Sequence, residues 1–240
     1  MGLTGEYLQG TATFTVEPLT ESLQFWLDQV GKQAAIQFGG YNQVFQELMR
    51  PAIPDDGCLA RVFLIRPEDW VRFSNESETN VDALIDRTAT ELIDGLRSAT
   101  VGAPITVIFC PGTHSATVAV ERRVCEALTD STLVQVISSD WISAHYPVRE
   151  LHDPDSDREG HIPYHPEFYT VLATVIARRC LRDFLPTPKV LVLDADNTLW
   201  KGAVGELGRV GIEISKPYQS LQRLALSQKD AGLLVAVCSK

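Results

Sequence analysis

The chain is short of positive charge: 21 Lys and Arg stand against 31 Asp and Glu, a formal net charge of −10 over 240 residues. A general nucleic-acid binder needs a basic face to neutralise phosphates, so that class is excluded. Long apolar runs are missing as well. None approaches the roughly 20 residues that span a bilayer, and the first ten residues have neither the basic start nor the apolar stretch of a secretory leader. Glu6 stands where N-myristoylation asks for Ser or Thr. The five cysteines, Cys58, Cys110, Cys125, Cys180 and Cys238, are odd in number, widely spaced and free of any C-x-x-C pair. That pattern argues against a disulfide framework or a zinc site and for a reducing, cytoplasmic setting without a membrane. Internal repeats and low-complexity tracts are absent. Hydrophobic residues at 45% and charged residues at 22% suffice for a core, so disorder is excluded as the main state.

Apolar, β-rich runs recur at residues 11–16 (TATFTV), 35–38 (AIQF), 60–65 (ARVFLI), 105–110 (ITVIFC), 133–137 (LVQVI), 189–193 (KVLVL) and 233–238 (LLVAVC). Several are continuous rather than alternating, as in strands covered on both faces. Helical faces fall between them. Leu19, Leu23, Trp26, Leu27 and Val30 mark one, Val81, Leu84, Ile85, Leu92, Ile93 and Leu96 a second, and Phe168, Leu172, Val175 and Ile176 a third, opened by Pro166. This alternation implies α/β layers around a largely parallel sheet. Residues 66–80 and the longer acidic stretch 145–165 read as irregular. The stiff sequence Leu185-Pro186-Thr187-Pro188 places a domain boundary, with one domain over 1–185 and a second over 186–240.

The chemistry-bearing pattern follows that boundary. A strand-like run, Lys189 to Leu193, delivers Asp194 and Asp196 into the loop at its C-terminal end, where ligands bind in open α/β sheets. The chain turns there, so the two carboxylates can do different work. Gly202 to Gly211 is dotted with glycine, as a hairpin flap would be. A helix pattern starts at Pro217, and a second strand ends in Ser239-Lys240.

Asp194-Ala195-Asp196-Asn197-Thr198 resembles the first motif, DxDxT, of the haloacid dehalogenase (HAD) superfamily. The resemblance implies that Asp194 is the nucleophile taking up a phosphoryl group and that Asp196 is the general acid and base. It implies Mg²⁺ held by the Asp194 side chain and the Asp196 main chain. Asn197, Thr198 and Ser239 would serve the substrate. The wider pattern, Asp-x-Asp-Asn-Thr-Leu-Trp, then Gly202-Ala203-Val204-Gly205-Glu206, then Cys238-Ser239-Lys240, is similar to FkbH-like proteins of polyketide and hybrid peptide pathways. Upstream, Phe14 to Pro18, Tyr41 to Gln46, Glu68-Asp69-Trp70 and Gly160 to Tyr164 look like the N-terminal region of the same family. The implied fold is an SGNH- or flavodoxin-like three-layer α/β domain over 1–185, followed by the N-terminal portion of a HAD-like Rossmannoid domain over 186–240. The implied activity is a phosphatase and glyceryl transferase. It dephosphorylates a three-carbon unit derived from 1,3-bisphosphoglycerate and loads glyceryl onto the thiol of an acyl carrier protein.

Two departures qualify that expectation. Ala195 has no nucleophile where some relatives carry Cys, so an enzyme-bound thioester at this position is excluded; transfer would go directly to the carrier thiol or through another cysteine, or the transferase role is lost. The later Lys and acidic pair of the HAD pattern have no counterpart before Lys240, which suggests a piece of a longer protein or a truncated, inactive form. A carrier-docking module without catalysis is one alternative, with Arg122-Arg123 and Arg178-Arg179 as its basic sources. A simple small-molecule phosphatase is another. In the first domain His161 lies near Asp157, yet no nucleophile stands beside them in sequence. Asp153 to Asp157 opens like an EF-hand loop but meets Arg158 and Tyr164 where Gly and Glu are needed, so it reads as a solvated acidic loop.

Overall fold

The computed structural model describes residues 5–50, 57–74, 78–99, 102–114, 116–182 and 188–239. The chain forms two compact units, Met1–Leu185 and Pro186–Lys240. Of the Leu185-Pro186-Thr187-Pro188 boundary only Pro188 is among the described residues.

The first unit runs β1 (Tyr7–Ala12), α1 (Thr20–Gln29), β2 (Ala35–Phe38), α2 (Val44–Met49), β3 (Cys58–Ile65), α3 (Glu78–Ser98), β4 (Ile105–Phe109), α4 (Ala116–Ala127), β5 (Val134–Ile137), α5 (Ser139–His145), α6 (Pro154–Gly160) and α7 (Pro166–Cys180). Its five strands pair in parallel in the order β2-β1-β3-β4-β5. This is a doubly wound order, with the switch point between β1 and β3. Alternate strand residues feed two cores. Val62, Leu64 and Ile108 pack with Leu23, Leu27 and Leu172 from α1 and α7. Phe63, Ile65 and Val107 pack with Leu48, Ile85 and Val124 from α2, α3 and α4. Helices therefore cover both faces, which is why the strands read as continuous apolar runs.

Three expectations need correction. The first strand is Tyr7–Ala12, not residues 11–16. Its polar half is admitted because Gly10 leaves room for a neighbour: a Cβ there would stand 2.9 Å from the Phe38 ring. After Ala12 the chain leaves the sheet, and Thr15 N donates to His161 O at 2.9 Å. Residues 145–165 are not a loop. They contain α6, capped by Asp153, whose side chain accepts from Ser156 N (3.0 Å) and Ser156 Oγ (2.8 Å), with Pro154 in the first turn. An antiparallel bridge joins His152 to Tyr164. The helix has no buried face, so hydrophobic periodicity could not reveal it. Residues 66–80 likewise hold a 3-10 turn at Pro67–Val71 and the start of α3.

The second unit runs β6 (Val190–Leu193), α8 (Val204–Leu207), α9 (Lys216–Asp230) and β7 (Leu234–Val237). β6 and β7 pair in parallel, Val190 against Leu234 through Leu193 against Val237. The flap closes through an antiparallel bridge of Lys201 and Glu213, with hydrogen bonds of 2.8 and 3.1 Å, but a one-turn helix, α8, replaces a simple hairpin tip. Val190, Val192, Leu224, Leu226, Leu234 and Val237 are exposed. A two-stranded sheet with so little covered apolar surface is marginal by itself.

Candidate functional site

β6 ends at Leu193, and Cys238 N still donates to Leu193 O at 2.8 Å. The ladder therefore carries Asp194 and Ser239 to the same C-terminal edge of adjacent strands. Asp194 is exposed, and no hydrogen bond or ion pair engages its carboxylate among the described residues. The loop then turns sharply. Thr198 N and Leu199 N both donate to Ala195 O, at 3.2 and 2.8 Å, and Ala195 is buried beneath the turn. Asn197 adopts φ 59°, a left-handed conformation that Asn tolerates. Its Oδ1 accepts from Gly202 N at 2.9 Å, which ties the turn to the flap.

Asp196 is held differently from Asp194. Its Oδ1 accepts from Trp200 Nε1 (3.0 Å) and from Val204 N at the start of α8 (3.1 Å). Two N–H donors fix the carboxylate's orientation, leaving Oδ2 for proton exchange. Thus one loop holds an unengaged carboxylate and an anchored one, the division a nucleophile and an acid/base require. Asn197 and Thr198 stabilise the turn through Asn197 Oδ1 and Thr198 N. Ser239 is exposed just past β7.

Mg²⁺ takes hard oxygen ligands and keeps several waters. The free Asp194 carboxylate suits it. The Asp196 carboxylate is held through Oδ1 by Trp200 and Val204, an arrangement compatible with the main-chain contact that the motif resemblance implies for this residue. The donor set fits Mg²⁺ as a partial shell, to be completed by waters and substrate phosphate. Among the described residues no group of three or more His, Cys, Asp or Glu is arranged so that it could hold a metal ion.

A second constellation, in the first unit, was met in the sequence only as separate pieces, the His161 and Asp157 pair and the Tyr41–Gln46, Glu68-Asp69-Trp70 and Gly160–Tyr164 segments. At the switch point Arg66, Asp69 and His161 are buried together with Thr13. Arg66 Nε donates to Asp69 Oδ1 (2.7 Å), and its Nη1 donates to Asp157 Oδ2 (2.9 Å). Thr13 Oγ1 donates to Asp69 Oδ2 (2.8 Å). Arg72 Nη1 reaches Asp157 Oδ1 at 2.7 Å. His161, at φ 52°, places Nε2 between Asp69 Oδ1 (3.0 Å) and Arg66 Nη2 (3.1 Å), while Nδ1 meets the Tyr41 hydroxyl. With its proton on Nε2 the ring donates to Asp69 and accepts from Tyr41. With its proton on Nδ1 it donates to Tyr41 and accepts from Arg66. Burial tends to push the Asp157 carboxyl up, but the Arg66 hydrogen bonds and the charges of Arg66 and Arg72 outweigh it and hold it below the usual range. What sequence reasoning missed is that Arg66, at the end of β3, joins these pieces through Asp69 and Asp157.

The basic pairs considered for docking are partly engaged. Arg123 bonds Asp86 and Thr90, Arg178 donates to the Tyr146 hydroxyl (2.9 Å), and Arg179 lies 4.5 Å over the Trp141 ring. No helix among the described residues is long and apolar enough to cross a membrane.

No protein-family model matches the chain. No curated protein matches it either. A solved structure does: the crystal structure of the N-terminal part of the protein BF1531 from Bacteroides fragilis, containing a phosphatase domain complexed with Mg. The match has a TM-score of 0.76 and covers 99% of this chain and 69% of that one, at 15% identity. The fold is similar to that of BF1531. At this identity the likeness speaks for the α/β, parallel-sheet fold alone.

Proposed function

We propose that the chain is a Mg²⁺-dependent phosphoryl-transfer protein with Asp194 as nucleophile. The observation that carries this reading is the unengaged Asp194 carboxylate at a strand's C-terminal end, beside an Asp196 carboxylate pinned by two N–H donors. An Asp194 oxygen attacks the phosphorus of a phosphorylated three-carbon substrate, and the bond to the leaving oxygen breaks. Asp196 supplies the proton that oxygen takes. It then accepts a proton from water, which attacks the aspartyl phosphate and frees phosphate and Asp194. Mg²⁺, when bound by Asp194 and the Asp196 main chain, neutralises charge on the phosphoryl oxygens. The Mg of BF1531's phosphatase domain supports that choice of ion.

The finer reading is FkbH-like: an SGNH- or flavodoxin-like first domain, and glyceryl delivered to the phosphopantetheine thiol of an acyl carrier protein with loss of phosphate. It rests on the motif series from Phe14 to Ser239 and on the doubly wound order of the first sheet. Ala195 provides no thiol, so the carrier thiol attacks the acyl phosphate carbonyl directly and the C1 phosphate leaves; the remaining 3-phosphoryl group passes to Asp194 and is released by water, leaving glyceryl on the carrier.

The test incubates the chain with Mg²⁺ and a small acyl phosphate, then maps phosphorylation by mass spectrometry, with Asp194→Asn as control. Adding carrier protein and 1,3-bisphosphoglycerate reads acyl transfer separately, as a glyceryl mass on the carrier. Phosphoryl group on Asp194 without carrier loading selects the simple phosphatase. Phosphate release that survives Asp194→Asn in the absence of carrier refutes the proposal.

A further inference from the structure

The first unit has a pocket of about 400 Å³ at the C-terminal ends of its strands, lined by Arg66, Glu68, Arg72, Thr113, His152 and Asp157 among others. Ligands of open parallel sheets bind beyond these strand ends. The loop from β4 into α4 turns its amides to one spot. Thr113 N and His114 N both donate to Glu68 Oε2, at 2.7 and 2.8 Å, and the Thr113 hydroxyl donates to the same oxygen at 3.1 Å. Consecutive N–H groups at the head of a helix make an anion cradle. Here the protein fills the cradle with its own carboxylate.

A separate observation shows that this occupant does not satisfy the site. Thr117 is buried, yet its Oγ1 has no hydrogen-bond partner among the described residues. It faces the same place: a Cβ on Gly112 would stand 3.0 Å from Glu68 Oε2 and 3.3 Å from Thr117 Oγ1. The other Glu68 oxygen lies 3.6 Å from Arg66 Nη1, beyond hydrogen-bond length. Glu68 thus takes three donors on one oxygen and leaves the buried Thr117 hydroxyl beside it unserved. Buried donors and hydroxyls without partners are costly and uncommon. An oxyanion with a further oxygen for the Thr117 hydroxyl would satisfy it, and Glu68 lines the pocket from which such a ligand would enter.

We propose that this cradle is an oxyanion-binding site, taking the phosphate or carboxylate group of a small ligand, and that Glu68 is the tethered anion the ligand displaces. The inference is independent of the phosphoryl-transfer reading, which rests on the second unit. The whole chain is titrated with inorganic phosphate, and separately with acetate, by calorimetry and melting temperature. EDTA and an Asp194→Asn background silence the other candidate site. Glu68→Ala removes the internal competitor and is expected to tighten phosphate binding roughly tenfold or more, the equivalent of one charge-assisted bond network released. Adding Thr117→Val should weaken that binding about fivefold or more. Preference for phosphate points to a phosphoester ligand and preference for acetate to a carboxylate. Either supports the site. Absence of any anion effect in Glu68→Ala, or an effect that Thr117→Val leaves untouched, overturns it. If Glu68→Ala does not fold, Glu68→Gln, equal in length and uncharged, carries the test, and no phosphate-dependent shift there overturns the proposal.

Discussion

Arg66→Met should destabilise the first unit severely. Arg66 and Asp69 have side-chain exposures of 3% and 1%. Arg66 is also held by Asp157 at 2.9 Å. Methionine keeps the length and apolar stem but removes every donor, so Asp69 stays buried with only the Thr13 hydroxyl and His161 as company. Breaking a buried pair in this one-sided way costs about 3–5 kcal/mol, because the orphaned charge keeps its desolvation penalty. Arg72 makes the contrast. It meets the same Asp157, but with 27% of its side chain exposed against 22% for Asp157, so solvent screens the pair. Arg72→Met should cost about 1 kcal/mol or less. For a unit of this size each kcal/mol moves the melting temperature by roughly 2–4 °C, so Arg66→Met should lower it by about 6–20 °C and Arg72→Met by no more than about 4 °C. Urea unfolding followed by tryptophan fluorescence checks both, since Trp26, Trp70 and Trp141 all lie in the first unit. If Arg66→Met costs no more than Arg72→Met, the network is not a stabilising unit and the reasoning fails.

Three further outcomes follow from the same structure. The folded Asp157 carboxyl lies below its unfolded value of about 3.9. Its contribution is therefore complete above that unfolded value and drains away as pH falls through the lowered folded one, so Asp157→Asn should flatten the acid limb of a stability–pH profile while costing stability at neutral pH. Asp194→Asn should abolish covalent phosphorylation yet leave stability within about 0.5 kcal/mol, because an exposed, unengaged side chain supports nothing; a large loss of stability measured in urea would contradict the geometry. Leu172→Ala, at a fully buried position of α7, should cost about 2–5 kcal/mol by opening a cavity in one of the two cores, and a loss below about 1 kcal/mol would show that α7 is not a core element.

Much of the architecture was legible in the residues themselves. Ala35–Phe38 is a strand as read, and the helices under Leu23, Ile85 and Phe168 lie where their apolar spacing put them. The Asp194–Thr198 loop was legible too, because a buried-type strand running into paired acids is a local signal. What failed was whatever lacked an apolar face or depended on distant residues. The helix α6 is announced only by its Asp153 cap and Pro154. Tyr7–Ala12 fits between β2 and β3 because Gly10 clears the Phe38 ring, a requirement set by the neighbouring strand.

The sequence by itself determined the α/β alternation, the placement of Asp194 and Asp196 after β6, and the acidic character of the chain. Each of these follows from side chains within a few residues of one another. Only the tertiary structure decided that Thr13, Arg66, Asp69, Asp157 and His161 meet, that Glu68 fills the cradle before α4, and that Asp196 is pinned while Asp194 is free. The physical reason is that a buried charge is tolerable only where its counter-charges converge. That convergence is made by the order β2-β1-β3-β4-β5, which sets the ends of β1 and β3 side by side and brings the α6 turn, some 90 residues later in the chain, against them.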